Sequence, residues 1–144
     1  MCSSDLAALT SYQASLAMRE RLAKADPGNA GWQRDLSVSY DRVGEVQQAQ
    51  GDLSAALTSY QASLAMRERL AKADPGNAGW QRDLAVSYGR VASIEMQQNS
   101  RDAALSAFRH GRDIIVRLIR KSPDNASLRN VLFWFDSQMG AHDK

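Results

Sequence analysis

The sequence predicts an all-α protein of about six helices, stacked as antiparallel pairs in a solenoid. Three observations carry this. First, residues 7–36 recur letter for letter as residues 55–84, a repeat of 48 residues. Second, a diverged third copy follows at the same spacing. Tyr12 and Tyr60 become Phe108, Pro27 and Pro75 become Pro123, and Asn29 and Asn77 become Asn125. Third, apolar residues recur at spacings of three and four, and no useful length alternates with period two. Identical segments carry identical faces, and each face wants the same neighbour in every copy. Stacking by a constant rotation and translation supplies that. A closed bundle would put identical faces into unlike surroundings. The chain therefore reads as one array over 1–144, with units 1–51, 52–99 and 100–144.

The first helix is expected over 1–25. Ser3, Ser4 and Asp5 offer capping oxygens for its first turn, and Leu6, Leu9, Tyr12 and Leu16 share one face. Glu20 and Lys24 stand four apart in the favoured order. Asp26-Pro27-Gly28-Asn29 ends this helix, because the residue before a proline avoids the helical region. Gly28 is free to take a positive φ, and Asn29 can cap the next helix. The second helix is expected over 30–50, with Trp32, Leu36, Tyr40, Val43 and Gln47 as its stripe. Gly51 is a stop and Asp52 a cap. So short a link makes the flanking helices an antiparallel hairpin.

The cycle then repeats. Helices are expected over 53–73, 78–98, 101–121 and from 126 to near the end. Asn99-Ser100 replaces Gly51-Asp52, and the mechanism survives: asparagine tolerates the left-handed conformation and serine caps. His110-Gly111 falls inside the fifth helix. Gly111 takes the place of Ser15 and Ser63, which points to close helix packing.

These residues resemble the tetratricopeptide repeat, which reads W-x-x-L-G-x-x-Y, then A-x-x-x-F, then P. Tyr40-x-x-Val43-Gly44 matches its opening, and Tyr88-x-x-Val91-Ala92 matches with alanine for glycine. The small residue lets two backbones approach closely. Ala8-x-x-x-Tyr12, Ala56-x-x-x-Tyr60 and Ala104-x-x-x-Phe108 match the middle, and the three prolines close the units. The resemblance implies a right-handed superhelical solenoid. The unit of 48 residues exceeds the family's 34, which lengthens both helices of each pair. Gln47 and Glu95 stand where the family has a tyrosine.

Like the family, the first helix of each pair should line a concave groove that binds a peptide or partner protein. The inner row would be Arg34, Val38, Asp41, Glu45 and Gln48, then Arg82, Val86, Gly89, Ser93 and Met96, then Asn130, Trp134, Ser137 and Ala141. Arg34 and Arg82 are identical in the two copies, and a guanidinium grips a carboxylate in a bidentate fork. The competing reading pairs them with Asp35 and Asp83 or with acids on a neighbouring helix. Trp32 and Trp80 read as core. The Lys-and-Asn clamp of chaperone-binding members is not visible.

The array is also out of phase with its ends: it starts on a second helix and closes on a first. Leu6 and Leu9, and the run Phe133-Trp134-Phe135, are therefore candidates for self-association, giving a homo-oligomer. The run covers more than one helix face, so a single neighbour cannot bury all of it.

Composition narrows the remaining classes. The net charge of +2 is too small to argue for nucleic acid or an anionic membrane surface. No apolar run reaches the roughly 20 residues that span a bilayer. The start lacks a secretory pattern, and the single Cys2 allows no internal disulfide, so a cytoplasmic location is expected. His110 and His142 are the only histidines, and neither sits in a ligand pattern. With no phosphate-binding glycine loop, metal cluster or nucleophile elbow, no catalytic role and no cofactor is expected.

Overall fold

The structure, a computed structural model, describes residues 3–142. Cys2 falls outside them, and so do the side chains of Ser3, Ala141 and His142. The described residues form six helices and no strand: α1 (Ser3–Ala25), α2 (Ala30–Ala49), α3 (Leu53–Ala73), α4 (Ala78–Gln97), α5 (Arg101–Lys121) and α6 (Ala126–His142). The helices divide into two compact units, one ending at Lys72 and one starting at Ala73.

Two kinds of connection join the helices, and each follows from its residues. After α1, α3 and α5 the chain makes a proline turn. Its last N–H donates to the carbonyl three residues back: Asn29 to Asp26, Asn77 to Asp74 and Asn125 to Ser122, at 3.0–3.1 Å. Each asparagine then caps the next helix, accepting from the backbone N–H of Trp32, Trp80 and Leu128. The expectation of a positive φ at Gly28 is corrected. Neither Gly28 nor Gly76 enters the left-handed region. That is why Asp124 can hold the same place in the third copy.

The left-handed residues are instead Gly51 (φ 81°) and Asn99 (φ 64°), at the other kind of link. There the helix closes with paired bonds, Asp52 N–H to the Gln47 carbonyl and Gly51 N–H to the Gln48 carbonyl. Ser100 and Asn99 repeat them onto Glu95 and Met96. This Schellman closure ends α2 and α4 one residue before the expected Gln50 and Gln98, which serve as C-caps. Asp52 caps α3 through the Ala55 N–H, but the Ser100 hydroxyl makes no such bond, so only half of the expected mechanism carries over.

In the first unit α2 packs on both α1 and α3. Gln33 meets Ala23, and further along α2 Ser39 and Tyr40 meet Arg19 and Glu20, while Gln47, Gln48 and Asp41 meet Ser59, Tyr60 and Arg67. Residue numbers rise on one helix as they fall on the other, so both pairings are antiparallel. Leu36 joins Ala23 and Met66 in a buried cluster flanked by Leu16 and Tyr40.

In the second unit α5 packs antiparallel to α4 and to α6. Tyr88 stacks on His110, and Arg112 pairs with Asp136. Arg82 reaches Ser127, and Gly89 lies under Trp134 and Phe135, so α6 runs parallel to α4. Phe108, Ile114, Ile115, Leu118 and Phe135 fill this interior.

The glycines at close approaches show which groups need the room. A Cβ at Gly44 would lie 2.8 Å from the Tyr60 ring. The small residue of the repeat pattern therefore makes space for the repeat's own aromatic, not for a second backbone. Gly111 does serve close helix packing, since a Cβ there would strike Phe135 at 2.5 Å and the Ala85 carbonyl at 3.0 Å.

Candidate partner-binding surface

The inner row divides by burial. On α2, Arg34 and Glu45 are exposed and Val38 and Gln48 are half-buried. Gln48 accepts a hydrogen bond from the Tyr60 hydroxyl at 3.0 Å, so it is committed to packing on α3. Asp41 is buried, with a carboxylate oxygen 2.9 Å from the Arg67 guanidinium. Arg67 also donates to the Ser37 hydroxyl at 3.2 Å. Asp41 is thus an interior group of the first unit and not part of an open face.

On α4, Arg82 is exposed and donates to Ser127 at 3.1 Å. Val86, Ser93 and Met96 are half-buried. Ser93 donates to the Gly89 carbonyl one turn back. Gly89 itself is buried beneath the Trp134 ring. On α6, Asn130 and Ser137 are exposed.

Of the residues expected to self-associate, Leu6 is exposed and Leu9 half-buried. The run on α6 splits three ways, as its angular spread requires. Phe133 is 74% exposed, Trp134 is 40% exposed, and Phe135 is fully buried. Phe135 is a core residue, edge-on to Phe108 and Trp134. Trp134 also meets Phe108 edge-on, so its ring is shared between the interior and the surface. Trp32 and Trp80 are half-buried, less enclosed than core residues.

The polar network Ser37–Asp41–Arg67 was missed by the sequence reading, which placed Asp41 in the groove. A signal for it exists. At the same positions one repeat later stand Ala85, Gly89 and Ile115, so all three polar members are lost together. Partners that change in concert are partners in space.

Two titrating groups depart from their ordinary behaviour. Burial, and then the hydrogen bond and charge of Glu20, push the Tyr40 hydroxyl from 10.0 up to about 12. Burial pushes the Glu95 carboxyl up as well. Gln47, its counterpart, accepts a 2.7 Å bond from the Ser59 hydroxyl, but the residue at the place of Ser59 in the next copy is Ala107. Glu95 is therefore denied that donor.

Among the described residues no three His, Cys, Asp or Glu side chains are grouped to hold a metal ion. Nor is any helix among them long and apolar enough to cross a membrane. No protein-family model and no curated protein matches the chain. The repeat and the geometry of its faces are what a functional reading has to stand on.

Proposed function

We propose that the chain is a repeat protein of the tetratricopeptide kind, its helix pairs stacked as a right-handed superhelical solenoid. It serves as an interaction scaffold that performs no chemistry itself and needs no cofactor. The concave side of the array is formed by the first helix of each pair and binds a carboxylate-bearing peptide or partner protein. A cytoplasmic location belongs to the same reading, because a single cysteine can close no internal disulfide.

One repeated detail supports it. Arg34 and Arg82 are exposed at the same position on α2 and α4, each with a half-buried valine one turn on, Val38 and Val86. A guanidinium beside an apolar patch suits an extended acidic segment: the fork holds the carboxylate and the valine takes an aliphatic neighbour. Glu45, two turns beyond Val38, disfavours a ligand that is acidic throughout. The ligand is therefore a segment with spaced carboxylates.

The test is binding to an array of peptides with spaced Asp and Glu, measured by fluorescence anisotropy. Arg34→Glu/Arg82→Glu should weaken binding by about tenfold or more per arginine, the equivalent of about 1.4 kcal/mol each. Its helicity by circular dichroism should match the wild type. Wild-type binding should also weaken as salt is added. Equal binding by the double variant, or no binding by the wild type, overturns the reading.

A further inference from the structure

The residues of the α2–α3 interface have buried counterparts on α4 and α5, and each of its two halves recurs once more with no partner helix over it among the described residues. The first half is a stripe at i, i+4 and i+7 on the first helix of a pair. On α2 it is Ser37, Asp41 and Gly44, and on α4 it is Ala85, Gly89 and Ala92. All six are buried. On α6 the same stripe is Phe133, Ser137 and Gly140, and all three are exposed.

The second half lies on the second helix of a pair. Ser59, Tyr60, Met66 and Arg67 of α3 are buried, and so are Ala107, Phe108, Ile114 and Ile115 of α5. On α1 the matching Ser11 is exposed and Tyr12 and Arg19 are half-buried. Met18 is 51% exposed where Met66 is 6%. Residues 7–36 and 55–84 are identical, so the chemistry of the two faces is the same and only the neighbour differs.

That neighbour is known for α3: it is α2. The Tyr60 ring rests on Gly44, Met66 clusters with Leu36, and Arg67 bonds Ser37 and Asp41. The corresponding residues of α6 are Gly140, Leu132, Phe133 and Ser137. The glycine and the leucine are thus kept. Gly140 is the telling one. A Cβ there would meet nothing within 4 Å, so no neighbour among the described residues requires a glycine in this last turn of α6.

We propose that α6 of one molecule docks antiparallel on α1 of a second copy of this chain, in the register in which α2 docks on α3. The Tyr12 ring of the second copy then fills the space over Gly140, and its Met18 packs on Leu132. Phe133 stands at the place of Ser37 and lays its ring beside Met18 on that face, since the Arg19 guanidinium of the second copy is held by the Asp35 carbonyl and the Ser39 hydroxyl of its own α2. A second copy is the occupant because this chain carries both halves, with the Tyr, Met, Gly and Leu of the internal interface intact. The contact is heterologous, so it leaves one α1 face and one α6 face open at every step and does not stop at a dimer.

The experiment is sedimentation velocity of the whole chain over a wide range of concentration. The wild type should pass through dimer to larger species. Gly140→Leu should be monomeric with an unchanged melting curve, since the added side chain has open space in the monomer and blocks only Tyr12 of a neighbour. Ser137→Glu on the same stripe and Met18→Glu on the other face should also be monomeric. An equal mixture of Gly140→Leu and Met18→Glu should form a dimer and nothing larger, because only one good face remains on each chain. Arg34→Glu/Arg82→Glu should associate like the wild type, which separates this inference from the peptide-binding reading. A wild type that stays monomeric overturns the proposal. So does self-association of Gly140→Leu, which would mean a contact other than α6 on α1.

Discussion

Arg19 and Arg67 sit at the same point of two identical segments and do different things. Arg19 is half-buried and donates to the Asp35 carbonyl and the Ser39 hydroxyl of α2. Arg67 is buried and held by Ser37 and Asp41 on the other side of the same helix. A buried charge left without its partner costs about 3–5 kcal/mol, whereas an apolar set of matching volume can replace the pair at little cost. The chain carries such a replacement: Ala85, Gly89 and Ile115, all buried, stand one repeat later at the places of Ser37, Asp41 and Arg67. Asp41→Ala should therefore lower the urea-derived stability by about 3 kcal/mol or more. Arg19→Ala, which removes a partly solvated arginine, should cost about 1 kcal/mol. Similar losses at the two sites would contradict the assignment.

Glu95 supplies the pH-dependent case at this scale. Its folded carboxyl is raised above the ordinary 4.5 by burial, so the folded state holds the proton more tightly than the unfolded one. Stability is then lost as pH rises from the ordinary value through the raised one. Glu95→Gln restores the residue found at position 47 and removes this loss. The variant should melt at a higher temperature than the wild type at neutral pH, and the gap should close as the pH falls below the carboxylate range. A constant gap across pH would show that ionisation is not the cause.

At the scale of the element, the two link types separate residue preference from residue need. The proline turn keeps its asparagine cap in all three copies but accepts Gly28, Gly76 or Asp124 before it, because no positive φ is called for. The Schellman link does call for one, and there the choice narrows to Gly51 or Asn99. A left-handed conformation costs a residue with an unsupported Cβ about 1–2 kcal/mol. Asn99→Ala should therefore destabilise the chain by about 1 kcal/mol in urea unfolding, while Asn99→Gly should be neutral or stabilising. Stability of the alanine variant equal to wild type would place the strain elsewhere. The sequence shows both kinds of link, but neither the expected positive φ at Gly28 nor the expected cap from the Ser100 hydroxyl is present. Glycine before a cap looks the same on paper whether or not its φ is positive.

At the scale of the whole molecule, the exact repeat made six helices and their antiparallel pairing legible, because helical spacing and short links leave few alternatives. The candidate surface was less legible. Arg34, Arg82 and Glu45 are exposed, yet Asp41 and Phe135 belong to the interior. Helical spacing says which residues share a face, but not which neighbour that face meets. Sequence alone thus determined the repeat, the helix count, the caps and the turns, all of which arise from contacts a few residues apart. Tertiary structure decided the rest. It made Met18 a surface residue and Met66 a core residue, turned Asp41 inward to Arg67, and sent Phe135 under Gly89 and Gly111 while leaving Phe133 in solvent. The physical reason is that burial depends on the neighbouring helix, and two identical stretches of chain need not have the same one.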